Sequence, residues 1–212
     1  MIAFRRLVLL FSTLAVAAVA APLERDLGQG LGYVRVKRLP ADLPAPPAGK
    51  IPPCVIDVRY VEADATAVTT FAAWLRFRAS PRAPVFVIAN AATSPALLEA
   101  IAPRVAGDGV IVIGAAGGRF RPDSAVKITP EEERKAYDAL ENGADVATLL
   151  ADNPDKVRND EASLVRGQTG AAPADLPEES AAAAPRRPTP TVDAALQRAL
   201  HLHRALVALK ML

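Results

Sequence analysis

Cysteine is almost missing from this 212-residue chain. The single one, Cys54, cannot form an internal disulfide, so the fold must rest on an ordinary apolar core. Cys54 opens the run Cys54-Val55-Ile56 and reads as a buried small hydrophobe. Histidine is nearly as scarce. His201 and His203 are the only two and lie two residues apart near the chain's end. On a helix that spacing sends them to different sides, so they cannot chelate as an i, i+4 pair; they read as solvated helix positions, and no metal is expected. An excess of one charge is also lacking, with 25 Lys and Arg against 23 Asp and Glu. The overall balance gives no electrostatic case for nucleic acid or an anionic membrane as partner.

Only one long hydrophobic run exists, Leu7 to Ala20, broken by Ser12 and Thr13 and preceded by Arg5 and Arg6. It is shorter than the ~20 residues a spanning helix needs and ends in Ala18-Val19-Ala20, so residues 1–20 read as a secretory signal peptide cleaved before Ala21. Export to the periplasm or the medium follows, with an uncleaved N-terminal anchor as the alternative. Loss of Arg5 and Arg6 would leave 23 basic and 23 acidic residues.

The remainder divides into an α/β domain (21–152), an Ala- and Pro-rich linker (153–190) and a C-terminal amphipathic helix (191–212). Residues 21–30 read as a polar lead-in. Leu31 to Arg38 alternates apolar and polar residues, predicting a strand wet on one face. A proline-rich stretch follows from Pro40 to Pro53. Three β-branched runs then predict strands covered on both faces: Cys54–Tyr60, Ala83–Ala89 and Gly109–Ile113. Between the first two, Asp64 caps a helix to Arg78 with an apolar stripe of Val68, Phe71, Leu75 and Phe77, Trp74 beside it. Between the second and third, Ser94 stands at N-cap and Pro95 at N1 of a helix to Val105. This alternation predicts a mainly parallel sheet flanked by helices. Thr129-Pro130-Glu131-Glu132 is a capping box for a helix to about Glu141, stopped by Asn142-Gly143, and a short helix follows over 144–151. From Thr191, leucines at helical spacing predict a helix seeking a groove on its own domain or on a partner.

Three constellations bear on chemistry. Gly114-Ala115-Ala116-Gly117-Gly118 follows a buried strand, but its spacing is not G-x-G-x-x-G and no helix start follows, so no nucleotide or other cofactor is expected. The histidines form no metal pair. Ser94 lies where strand passes to helix, the place of a nucleophile or of an ordinary N-cap; without a histidine in the core to act as base, the cap is the simpler role.

The order of four segments resembles the catalytic core of the tail-specific, or C-terminal processing, serine peptidases. Leu31-Gly32-Tyr33-Val34-Arg35-Val36 is similar to the family's IGYIRI strand, and Val55-Ile56-Asp57-Val58-Arg59 to its LILDLR strand. Ala83 to Ser94 resembles P-V-x-V-L-x-N-x-x-T-A-S, with Asn90 and Thr93 in register. Val112-Ile113-Gly114, then Pro122-Asp123 with Val126, echo V-x-G and P-D-x-x-V. The resemblance implies a crotonase/Clp-protease-like core and a serine/lysine peptidase. The chain departs from it at each chemical position. The family's nucleophile falls on Pro95, one residue beyond Ser94. No lysine lies between Gly114 and Val126, where the base is expected. Tyr60 to Asp64 replaces the glycines of the oxyanion site. The expectation is an exported, non-catalytic peptidase-like domain binding peptide or protein. The alternatives are an active hydrolase using Ser94 and a structural envelope component.

Overall fold

The computed structural model describes residues 22–45, 49–102, 107–150 and 191–212; the segment read as a signal peptide (1–20) and the one read as a linker (153–190) lie outside these. The described chain forms a six-stranded mixed sheet, mostly parallel, with helices on both faces. The strands are β1 (Leu23–Asp26), β2 (Gly32–Arg35), β3 (Cys54–Asp57), β4 (Val85–Ile88), β5 (Val110–Gly114) and β6 (Ser124–Ala125). They lie side by side in chain order, β1 antiparallel to β2 and every later pair parallel.

Register sorts the core into two halves. Val34, Ile56, Val87 and Val112 stand opposite one another across four strands and share one face. Helices α1 (Ala65–Arg78) and α2 (Pro95–Ala100) cover that face through Phe71, Leu75 and Leu97. The other face presents Tyr33, Val55, Phe86 and Ile113 to α3 (Pro130–Glu141), α4 (Val146–Leu149) and α5 (Ala194–Ala208). Strands enclosed on both sides account for the near-continuous apolar runs.

Two of the expected caps form as the sequence predicts. The Asp64 side chain accepts from Ala67 N, and Thr129 and Glu132 form the full reciprocal box. At Gly114 a Cβ would come within 2.1 Å of the Ala89 carbonyl oxygen, so only glycine lets β5 end this close to β4.

Several expectations need correction. Residues 21–30 include a strand, β1, on the sheet's outer edge, where polar side chains are tolerated. β2 is not wet on one face: Arg35 is fully buried because α3 lies over it. The second predicted helix is shorter than expected and ends at Ala100. Phe77 leaves the predicted stripe and is 65% exposed. The C-terminal helix finds its groove on its own domain, burying Ala195, Leu196, Ala199, Leu200 and His203 against the sheet. His203 is therefore not solvated. Its Nε2 lies 3.2 Å from the Gln29 carbonyl oxygen and its ring stands edge-on to Phe86, while His201 stays exposed. Cys54 is buried as expected, and burial pushes its thiol up to about 11.

Candidate functional site

Open α/β sheets usually bind ligands beyond the carboxyl ends of their strands. Here those ends hold a buried polar network. Asp57, at the end of β3, accepts from the Tyr33 hydroxyl at 2.8 Å and from Arg59 Nη2 at 2.6 Å. The same guanidinium reaches Asp193, the N-cap of α5, at 3.3 and 2.8 Å. Asp57, Arg59 and Asp193 are wholly excluded from solvent. Burial alone would raise Asp57, but Arg59, Arg35 and the Tyr33 hydroxyl hold its carboxyl below the usual range. Burial opposes the charge on Arg59, yet Asp193 and Asp57 keep its pKa well above the ordinary one. Burial and then Asp57 push the Tyr33 phenol well above its ordinary value. These groups bind one another and fasten α5 to β3.

Helix α3 lies over the same strand ends. Glu133, Tyr137 and Glu141 recur every four residues along it, the first two buried and Glu141 exposed at its end. Glu133 Oε2 accepts from Asn90 Nδ2 at 3.0 Å just beyond β4. The Tyr137 ring supports the Arg35 guanidinium at 3.8 Å, and Glu141 Oε2 lies 3.9 Å from Arg35 Nη1 while its other oxygen pairs with Lys37. On this face the strand ends are covered by protein. Burial raises Glu133, and the Asn90 amide only partly offsets it.

The opposite face is open. A cleft of about 420 Å³ lies between α2 and the loop after β5, with Pro95, Leu98, Ile101 and Phe120 as apolar walls and Thr93, Glu99, Arg119 and Arg121 as polar ones. The loop is the glycine-bearing segment singled out in the sequence. It folds as a tight hairpin in which Gly117 and Phe120 exchange backbone hydrogen bonds and Gly118 adopts φ +56°. Phe120 anchors it in the core, and Arg121 Nη1 donates to the Gly118 and Phe120 carbonyls. Arg119 and Glu99 are exposed at the rim.

Ser94 occupies the N-cap position of α2, as expected, but its hydroxyl does not cap. Its carbonyl receives Leu97 N and Leu98 N, its N–H donates to Val61 O, and its Oγ is buried without a hydrogen-bond partner. Thr93 and Pro95 line the cleft; Ser94 does not. Asn90 and Thr93 close the turn after β4, with the Thr93 hydroxyl donating to Val58 O and Asn90 Oδ1 accepting from Ala92 N. Tyr60, where the resemblance expects glycine, adopts φ +61°, a left-handed conformation rare for an aromatic residue. Its ring packs edge-on against Tyr137 at 4.9 Å and beneath Arg134 at 4.7 Å, contacts that offset a strain of about 1–3 kcal/mol.

No protein-family model matches the chain, and no curated protein matches it significantly. Sequence reasoning singled out the strand carrying Asp57 and Arg59 and the turn of Asn90 and Thr93. It missed Asp193, Glu133 and Tyr137, whose roles depend on where α3 and α5 come to rest.

Proposed function

We propose that this chain is an exported, non-catalytic relative of the tail-specific peptidases, built on their crotonase/Clp-like core, and that it binds a peptide or protein segment in the cleft between α2 and the Gly117–Phe120 hairpin. The observation that carries the reading is the arrangement at the head of α2. The side chain facing the cleft there is Pro95, which has no hydroxyl, while the neighbouring hydroxyl of Ser94 is buried and has no base within hydrogen-bonding distance. Asn90, Thr93 and the strand order support the family reading. Among other surfaces, the β1 edge is short and carries Glu24, Arg25 and Asp26, which blunt strand addition. The inner face of α5 is already used by the core. The cleft combines apolar walls with an exposed cation and anion, features suited to a side-chain-bearing polypeptide.

The test is fluorescence anisotropy with labelled unstructured peptides, alongside a serine-reactive phosphonate. Binding should weaken about tenfold in an Arg119→Glu, Glu99→Lys double variant, which reverses both rim charges, and stay unchanged in Ser94→Ala. Phosphonate labelling of Ser94, or peptide cleavage abolished by Ser94→Ala, would establish the hydrolase alternative instead.

A further inference from the structure

The near-even charge of the whole chain conceals segregation at one end. From Ala194 to Leu212 there is no acidic residue, while Arg198, Arg204 and Lys210 are present. Because α5 turns one side to the sheet, its basic residues are displayed together. Arg198, His201 and Arg204 recur every three residues on the exposed side, and Lys210 follows just past the helix end. Arg198, Arg204 and Lys210 have no ion pair or side-chain hydrogen bond among the described residues. Among the described residues, nothing neutralises their charge.

The same end is exceptional in its apolar exposure. Four large hydrophobic side chains are exposed among the described residues, and three of them, Val207, Leu209 (68%) and Met211, fall within five consecutive positions. The fourth, Phe77, is on α1 at the opposite face of the sheet. We propose that the end of α5 docks on an anionic lipid surface, with Arg198, Arg204 and Lys210 at the headgroups and Val207, Leu209 and Met211 entering the interface. Cations without an ion-pair partner among the described residues complement a diffuse negative surface rather than one fixed partner charge. Three aliphatic tips alone bind weakly, and three cations alone bind weakly; together they form the two-signal anchor that interfacial binding needs. A nucleic acid would satisfy the charges but leave the aliphatic tips in water.

The test is cosedimentation of the purified full chain with vesicles of phosphatidylcholine alone, or with a third of it replaced by phosphatidylglycerol. Every variant carries the same N-terminus, and circular dichroism confirms the fold. The protein should bind the anionic vesicles selectively and lose binding as salt rises well above about 0.15 M. Replacing Arg198, Arg204 and Lys210 together by glutamine should weaken partitioning about 100-fold, at roughly fivefold per charge. Leu209→Ser with Met211→Ser should weaken it at least about tenfold. Equal or absent binding to both vesicle types, or binding indifferent to these substitutions, would overturn the proposal. So would concentration-dependent self-association abolished by Leu209→Ser, which would assign the patch to a second copy. Duplex DNA binding stronger than vesicle binding would do the same.

Discussion

Replacing Asp193 by alanine tests whether one buried residue ties the last helix to the sheet. Asp193 does two things at once: its carboxylate receives Arg59 Nη1 and Nη2, and its Oδ1 accepts from Leu196 N in the first turn of α5. Breaking a buried ion pair from one side is destabilising by about 3–5 kcal/mol, because the remaining charge stays out of water. Loss of an N-cap contributes about 1 kcal/mol. Arg59 retains Asp57, so the two losses do not simply add, and the expected total is about 4 kcal/mol. At roughly 2–4 °C per kcal/mol for a chain of this size, Tm should fall by about 8–16 °C. Asp193→Asn keeps an oxygen for Leu196 N and removes only the charge, so it should lie between wild type and alanine. Urea unfolding followed by circular dichroism measures both. A loss below about 1 kcal/mol for Asp193→Ala would refute the argument, since it would mean that Arg59 is rehydrated or re-paired without penalty. A reduced slope of the transition would show α5 leaving the sheet before the rest unfolds.

Three further outcomes are expected. Glu133 has its pKa raised by burial, so between its unfolded value of about 4.3 and its higher folded value the native state holds the proton more firmly, and stability falls as pH rises through that window. Glu133→Gln, which keeps an oxygen for Asn90, should therefore match or exceed wild-type stability at neutral pH and lose the advantage near the unfolded value; a less stable variant at neutral pH would contradict this. Gly114→Ala should destabilise by about 3 kcal/mol or more in the same urea assay, because the new methyl overlaps the Ala89 carbonyl. Cys54, buried and with its thiol at about 11, should resist a disulfide-exchange reagent at mildly alkaline pH until urea unfolds the chain; prompt labelling of native protein would show that β3 opens locally.

How much was legible depended on whether the deciding interaction was local. Val85-Phe86-Val87-Ile88 announces a strand enclosed on both faces, and Thr129 to Glu132 announces a helix start, because partners lie within a few residues. β1 was invisible because three of its four residues, Glu24, Arg25 and Asp26, are charged and only its pairing with β2 makes it a strand. Arg35 looked solvated because alternation treats any arginine as outward-facing, whereas here Tyr137, about a hundred residues later, supplies a flat cover that accepts a guanidinium. His203 was misjudged for the same reason: helical spacing fixes which side a residue is on, but not whether that side meets a sheet. The Arg59–Asp193 contact spans 134 residues of chain, and no spacing rule reaches so far. At the candidate site, Pro95 and the missing loop lysine were readable position by position, but the cleft was not. It exists because Phe120 folds the hairpin down beside α2.

The residues that fix the site's architecture are distinct from those at which the resemblance expects chemistry. Asp57, Arg59, Asn90 and Thr93 spend their polar atoms on one another, on Tyr33, on α3, on α5 or on neighbouring backbone. Pro95 and Arg119 border the cleft without entering any of those bonds. A chain organised this way can change Pro95, Glu99 or Arg119 while the turn after β4 and the end of β3 keep their bonds, because those side chains hold none of them; Thr93 belongs to both sets and is the exception. The specificity proposed for the cleft can therefore shift through Arg119 and Glu99, whose side chains hold none of those bonds. Changes at Asp57 or Arg59 would unsettle β3 and α5 before they altered the walls of the cleft.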